Sequence, residues 1–189
     1  KEILVIPRLG TIGVHPSLLP KYRGPSPIQS SILNGDEETG VTLYLMDEKL
    51  DHGPILAARE LEFPISNFQF PILSKKLAEL GGDLLVESLP KFLKGEITSL
   101  PQDESQATYT KKFKTEDSYV NPEDLQTAQK QGGETAMKIE RKILAFNPEP
   151  GGYTFISQKR VKLLEAELAE EKLKLKKIQF EGKKTVAIS

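Results

Sequence analysis

Gly13-Val14-His15-Pro16-Ser17-Leu18-Leu19-Pro20-Lys21-Tyr22-Arg23-Gly24 is the stretch that decides the fold. Its first residues continue the β-branched run Thr11-Ile12, which predicts a strand over 11–15 that Pro16 must end. The loop beyond it is stiffened by Pro16 and Pro20 and closes at Gly24. A histidine where a strand gives way to a rigid loop stands where a sheet opens onto a ligand. Further along, Leu50-Asp51-His52-Gly53 places a carboxylate in a tight loop between two strands. If the fold brings Asp51 to His15, the carboxylate is expected to fix the imidazole tautomer. Taken singly, His15 also reads as a hydrogen-bonded structural histidine, and Asp51 as a turn-forming aspartate.

Outward from this loop, Leu4-Val5-Ile6 predicts a short strand stopped by Pro7. Pro25 to Leu33 predicts a helix, with Ile28 and Ile32 one turn apart and Asn34-Gly35 as its stop. Val41 to Met46 and Ile55 to Phe63 alternate as strands do. Leu73, Leu77, Leu80, Leu84, Leu85 and Leu89 fall at helical spacing, but Gly81-Gly82 interrupts them, so two helices or one bent helix are expected up to Gly95. Ile97 to Tyr119 is polar and reads as an exposed connector, and Gln126 to Gly133 as a loop or frayed helix. Glu134 to Ala145 is an amphipathic helix stopped at Asn147-Pro148. After Pro150-Gly151-Gly152 the texture changes to short strands at 153–156, 161–168 and 173–180. The expected organisation is therefore 1–97, a connector over 98–133, and a small helix-plus-β unit over 134–189.

Composition narrows the chemistry. The 189 residues contain no cysteine, which removes disulfides and thiolate chemistry and suits a reducing cytoplasm. No apolar run approaches the roughly 18–20 residues of a membrane helix, so no membrane partner is expected. A net charge of −1 gives no overall pull toward nucleic acid, so any RNA contact must be local. Lys159, Arg160, Lys162, Lys172, Lys174, Lys176, Lys177, Lys183 and Lys184 make the tail locally basic, diluted by Glu165, Glu167, Glu170, Glu171 and Glu181. Two histidines and scattered carboxylates form no ligand cluster, so no metal is implied.

The stretch His15 to Gly24, the run Asp36-Glu37-Glu38-Thr39-Gly40-Val41-Thr42, and Met46-Asp47 to Gly53 resemble successive landmarks of the folate-dependent formyltransferases. Ala145-Phe146-Asn147-Pro148-Glu149-Pro150-Gly151 narrows the resemblance to methionyl-tRNA formyltransferases. The resemblance implies an α/β fold (α+β overall): the C-terminal half of a Rossmann-like catalytic domain followed by a small, abbreviated, OB-like β-subdomain. It implies that His15 and Asp51 are catalytic, with 10-formyltetrahydrofolate as co-substrate and methionyl-tRNA as acceptor. Ser17, Leu18, Leu19, Pro20 and Asp51 fall where the family meets folate, and Lys21 and Arg23 where it meets the anionic substrate. The family also carries an asparagine two residues before the histidine, and this chain has Gly13 there. An oxyanion donor missing at that point is worth about 100- to 1,000-fold in rate, part of which a water in the space would restore.

The resemblance further implies a Rossmann-like half upstream of Lys1, which this sequence lacks. The expected consequence is an unpaired sheet edge near Val14 or Ile6, covered by a second copy in a homo-oligomer. On the residues alone two other readings stay open. One is a non-catalytic module retaining an RNA- or folate-binding surface; the other is a hydrolase in which His15 and Asp51 activate water.

Overall fold

The structure, a computed structural model, describes residues 4, 6–61 and 68–188. The strand expected at 4–6 falls partly outside the described residues. The remaining chain forms two compact units, one on a three-stranded sheet and one on a four-stranded sheet.

The first unit begins with β1 (Ile12–His15), which pairs antiparallel with β2 (Thr39–Leu45), which in turn pairs antiparallel with β3 (Ile55–Leu61). Strand alternation divides the side chains between two faces. Val41 and Leu43 of β2 and Val14 of β1 lie toward α2 (Phe70–Leu93), while Thr42 and Tyr44 share the opposite face with His15 and Gly13, their register partners. Leu43, Leu56 and Leu84 form a buried cluster there, with Ile12, Leu45, Ala57 and Phe92 against it. Each fully buried leucine contributes about 1.5–3 kcal/mol. β1 is the end strand of this sheet among the described residues.

α2 runs through Gly81-Gly82 without a break, so of the two expected arrangements the chain forms one helix and not two. The reason is steric. A side chain on Gly81 would meet Val14 Cγ1 at 2.9 Å and Val41 Cγ1 at 3.2 Å, whereas Gly82 faces open space. Gly81 is therefore a point of close approach between helix and sheet, and packing on both flanks outweighs about 1 kcal/mol of lost propensity. α1 (Pro27–Asn34) ends as Asn34-Gly35 predicts: Gly35 has φ 68°, and the N–H of Asp36 reaches back to Ser31 O at 3.1 Å, closing a Schellman turn.

The supposed connector is structured at both ends. Leu100 exchanges both backbone hydrogen bonds with Ile55 (2.7 and 2.8 Å), and Arg23 and Tyr109 form a parallel bridge. The first unit thus reaches Lys112. Of the stretch 126–133, read as a loop or frayed helix, residues 126–130 belong to α3 (Pro122–Lys130), capped by Asn121, whose side chain accepts from Glu123 N at 2.8 Å. Only Leu125 and Ala128 of α3 are buried, so its apolar stripe is too thin to show as periodicity. They join Val120, and Ala136, Ile139 and Ile143 of α4 (Gly133–Phe146), over Leu163 and Leu173 of the second sheet. That sheet is an antiparallel meander of β4 (Gly152–Ile156), β5 (Lys159–Ala169), β6 (Lys172–Phe180) and β7 (Thr185–Ala187). β7 has no sequence signal because all three of its residues are exposed.

Candidate active site

His15 closes β1 opposite Thr42, and the loop after it is tied largely to itself. Thr42 Oγ1 accepts from Leu19 N at 3.0 Å and donates to Ser17 O at 2.8 Å. Ser17 Oγ donates to Lys21 O at 2.6 Å, and the N–H of Lys21 reaches Leu18 O at 3.1 Å. Ser17 and Leu19 are buried; Leu18 and Pro20 are half-buried and Lys21 is exposed. Of the residues expected to meet folate, Ser17 and Leu19 thus serve the loop's own shape. Leu18, Pro20 and Lys21 retain surface for a ligand.

The side chain of His15 is 7% exposed. Its Nε2 lies 2.9 Å from Tyr22 O, and a carbonyl can only accept, so Nε2 carries the proton. Nδ1 faces Asp51 Oδ2 at 3.6 Å, an electrostatic contact beyond hydrogen-bond range. The expectation that Asp51 sets the tautomer is therefore corrected: the Tyr22 carbonyl sets it. Nδ1 is left as a proton acceptor, and its protonation places a cation beside the carboxylate.

Asp51 is itself held on both oxygens. Tyr44 Oη donates to Oδ1 at 2.6 Å, and the N–H of Gly24 donates to Oδ2 at 2.7 Å. Asp51 sits at φ 49°, in the left-handed region where aspartate is tolerated. The backbone turn is held by Gln102, whose Nε2 donates to Asp51 O at 2.9 Å and to Gly53 O at 2.8 Å. Burial, then the neighbouring Asp51, pushes the Tyr44 phenol well above its ordinary 10.0, so it stays a neutral donor.

Arg23 departs from its expected role. It is 0% exposed, and all five of its guanidinium N–H groups are engaged. Nε and Nη2 donate to Gln102 Oε1 (3.0 and 2.8 Å), Nη1 and Nη2 to the Glu104 carboxylate (3.1 and 2.7 Å), and Nη1 to Tyr109 Oη (3.0 Å). No donor remains for a substrate anion, so Arg23 is a structural cation linking the site loop to residues 102–109. Glu104 in turn raises the Arg23 pKa through its hydrogen bond. His52 stands apart from the reaction centre, with Nδ1 at 2.6 Å from Asp47 Oδ2 and Nε2 at 3.4 Å from Glu104 Oε1.

Gly13 is not an empty position. A Cβ there would fall against Tyr44 Cε1, 2.6 Å from Cζ and 2.9 Å from Oη. The space a water was expected to fill holds a phenol ring. Tyr44, Gln102 and Tyr22 were not legible as site residues. Alternation along β2 puts Tyr44 and Thr42 on one face, which is the single local hint; Gln102 and the Tyr22 carbonyl have none.

Among the described residues no group of three or more His, Cys, Asp or Glu is placed to hold a metal, and no helix is long and apolar enough to cross a membrane. Residues 1–89 match the formyl transferase family, and residues 133–174 match the formyl transferase C-terminal domain. The methionyl-tRNA formyltransferase of Roseiflexus sp. is 40% identical over 172 residues, which cover 91% of this chain and 50% of that protein. That of Kosmotoga olearia is 38% identical over 213 residues, covering 100% and 65%. The chain thus spans about half to two thirds of the length of these relatives. HypX from Aquifex aeolicus, solved in complex with tetrahydrofolic acid, superposes with a TM-score of 0.67 at 26% identity, covering 85% of this chain and 26% of that one.

Proposed function

This chain belongs to the formyl transferase family, and from that we propose that it carries the proton-transfer pair of a formyl transfer from 10-formyltetrahydrofolate to the amine of methionyl-tRNA. The observation that carries the reading is His15 Nδ1 facing Asp51 Oδ2 at 3.6 Å, with both side chains at most 14% exposed. The amine nitrogen attacks the formyl carbon and forms a tetrahedral intermediate. The proton leaving that nitrogen is taken by Nδ1, whose imidazolium sits between the Tyr22 carbonyl and the Asp51 carboxylate. The same proton passes to the folate nitrogen as its bond to carbon breaks, leaving an N-formyl amine and tetrahydrofolate. Such positioned proton transfer is worth about 100- to 10,000-fold. Cytoplasmic protein synthesis is the setting this substrate implies.

Support for RNA contact is local to the second unit. Arg160 lies over the Tyr153 ring at 3.9 Å from its centroid, next to Phe155, which is 43% exposed. Tyr153 is half-buried rather than deep core, unlike Phe146. Lys176 and Lys177 already pair with Glu167 and Glu165, so the Arg160 face offers a phosphate the better cation. The outer edge of β1, the end strand among the described residues, is where we place a second copy; a monomer by light scattering at micromolar concentration would remove that element.

The experiment is incubation with formyl-folate and methionyl-tRNA, reading N-formyl product by mass, alongside ligand-induced thermal stabilisation. A folate analogue at about 100 times its Kd is expected to stabilise the protein by about 2.7 kcal/mol. Affinity for tRNA is expected to fall steeply with added salt. Neither product nor folate stabilisation would reject the proposal; a tRNA affinity flat in salt would reject the phosphate contact.

A further inference from the structure

We infer that Tyr44 is a positioning residue of this site, and that Gly13 and Tyr44 act as one steric and hydrogen-bonding unit that holds Asp51 toward His15. Gly13 and Tyr44 are direct partners across β1 and β2, so any side chain at 13 would project on the face that the phenol occupies. The ring lies where a Cβ would be, with Cζ at 2.6 Å and Oη at 2.9 Å. Real Cβ atoms do not sit that close to ring carbons. The absence of a side chain at 13 is thus the condition for the Tyr44 ring to lie down across β1.

Lying there, the ring delivers its hydroxyl to Asp51 Oδ1 at 2.6 Å. Gly24 N–H holds the other oxygen, the one that faces His15 Nδ1. Two donors on opposite oxygens fix the carboxylate plane in a way that neither does alone. The Tyr44 side chain is 4% exposed and packs edge-on to the His15 ring, with centroids 6.5 Å apart and planes at 88°. It therefore limits both members of the pair. The phenol acts through Asp51, so its role is positioning rather than contact with substrate. The consequence is that Gly13→Asn alone cannot repair the site: it collides with Tyr44, displaces the ring and releases Asp51.

The test is a double-mutant cycle on the full chain with Gly13→Asn, Tyr44→Leu and the double variant, followed by urea unfolding. Gly13→Asn is expected to lower the folding equilibrium constant about 10- to 100-fold, the scale of overpacking in a tight site. In the Tyr44→Leu background the same change is expected to have an effect at least about tenfold smaller, because contacting residues couple. Gly13→Ala, a milder intrusion, stands in if Gly13→Asn does not fold. Additive effects overturn the inference, as does a Gly13→Asn chain as stable as wild type.

Tyr44→Phe supplies the positioning readout, and this arm alone rests on the proposed formyl transfer. Loss of the donor is expected to lower kcat about tenfold with KM little changed, a split that a loss of folding stability alone would not give. An unchanged kcat overturns the positioning role. Non-additive unfolding in a chain without formyl transfer would uphold the steric unit and reject the proposed reaction, so the two failures are distinguishable.

Discussion

His15→Ala is expected to reduce formyl transfer by about 100- to 10,000-fold, the range for removing a positioned acid–base group. Its Nδ1 is the proton acceptor nearest Asp51, and the Tyr22 carbonyl holds the ring in the tautomer that leaves Nδ1 free. Removing the ring also takes away one hydrogen bond to that carbonyl, at a stability cost of about 0.5–1.5 kcal/mol. His15→Gln is the cleaner variant, because its amide can still donate to Tyr22 O while offering no comparable base. Asp51→Asn keeps size and removes the charge, and is expected to fall within tenfold of His15→Gln, since the two residues act as a unit. Initial rates with saturating formyl-folate decide the matter. A His15→Gln enzyme retaining more than a tenth of wild-type turnover would show that the pair is a structural relic.

The second large effect belongs to Arg23. Arg23→Met is expected to destabilise the protein by about 2–4 kcal/mol, because hydrogen bonds to a charged group are worth about 1.5–3 kcal/mol each and several end together. Glu104 contributes little of this, since its side chain is 58% exposed and can rehydrate. Gln102 is the more serious loss: without Arg23 its Oε1 has no fixed partner, and its grip on the Asp51 and Gly53 carbonyls loosens. The variant should therefore lose activity beyond its loss of stability. Lys21→Met, two residues away and exposed, is expected to stay within about 0.5 kcal/mol. Urea unfolding of both separates a structural cation from a surface one, and an Arg23→Met loss under 1 kcal/mol would sink the assignment.

A pH dependence accompanies it. The hydrogen bond from Arg23 holds the Glu104 carboxyl below its ordinary 4.5. A carboxyl depressed on folding stabilises above its unfolded pKa, and that stabilisation fades as pH falls through the folded one. Wild type is therefore expected to lose this linkage below about pH 4.5, and Arg23→Met to show a flatter acid limb of stability.

The local signals that proved dependable were those in which one residue constrains its own backbone. Pro16 ended a strand, Asn34-Gly35 ended a helix, and alternation in 41–46 marked β2. The helix over 134–145 was legible because its buried residues repeat at helical spacing. α3 was legible only as one alternative, a frayed helix, because two buried residues make no pattern and its cap and docking partner decide it. Gly81-Gly82 left one helix or two open for the opposite reason: glycine propensity is a local quantity, whereas the close approach of Val14 and Val41 is not.

The sequence by itself determined the family and most of the order of elements, and offered His15 and Asp51 as the candidate pair, because order and residue type are carried along the chain. Only the tertiary structure decided what those residues touch. It assigned the His15 tautomer to the Tyr22 carbonyl, removed Arg23 from substrate and put it in a buried network, and filled the space over Gly13 with Tyr44. Each of these depends on groups distant in sequence meeting within about 3 Å. One-dimensional spacing does not encode such distances; strand register and loop closure do.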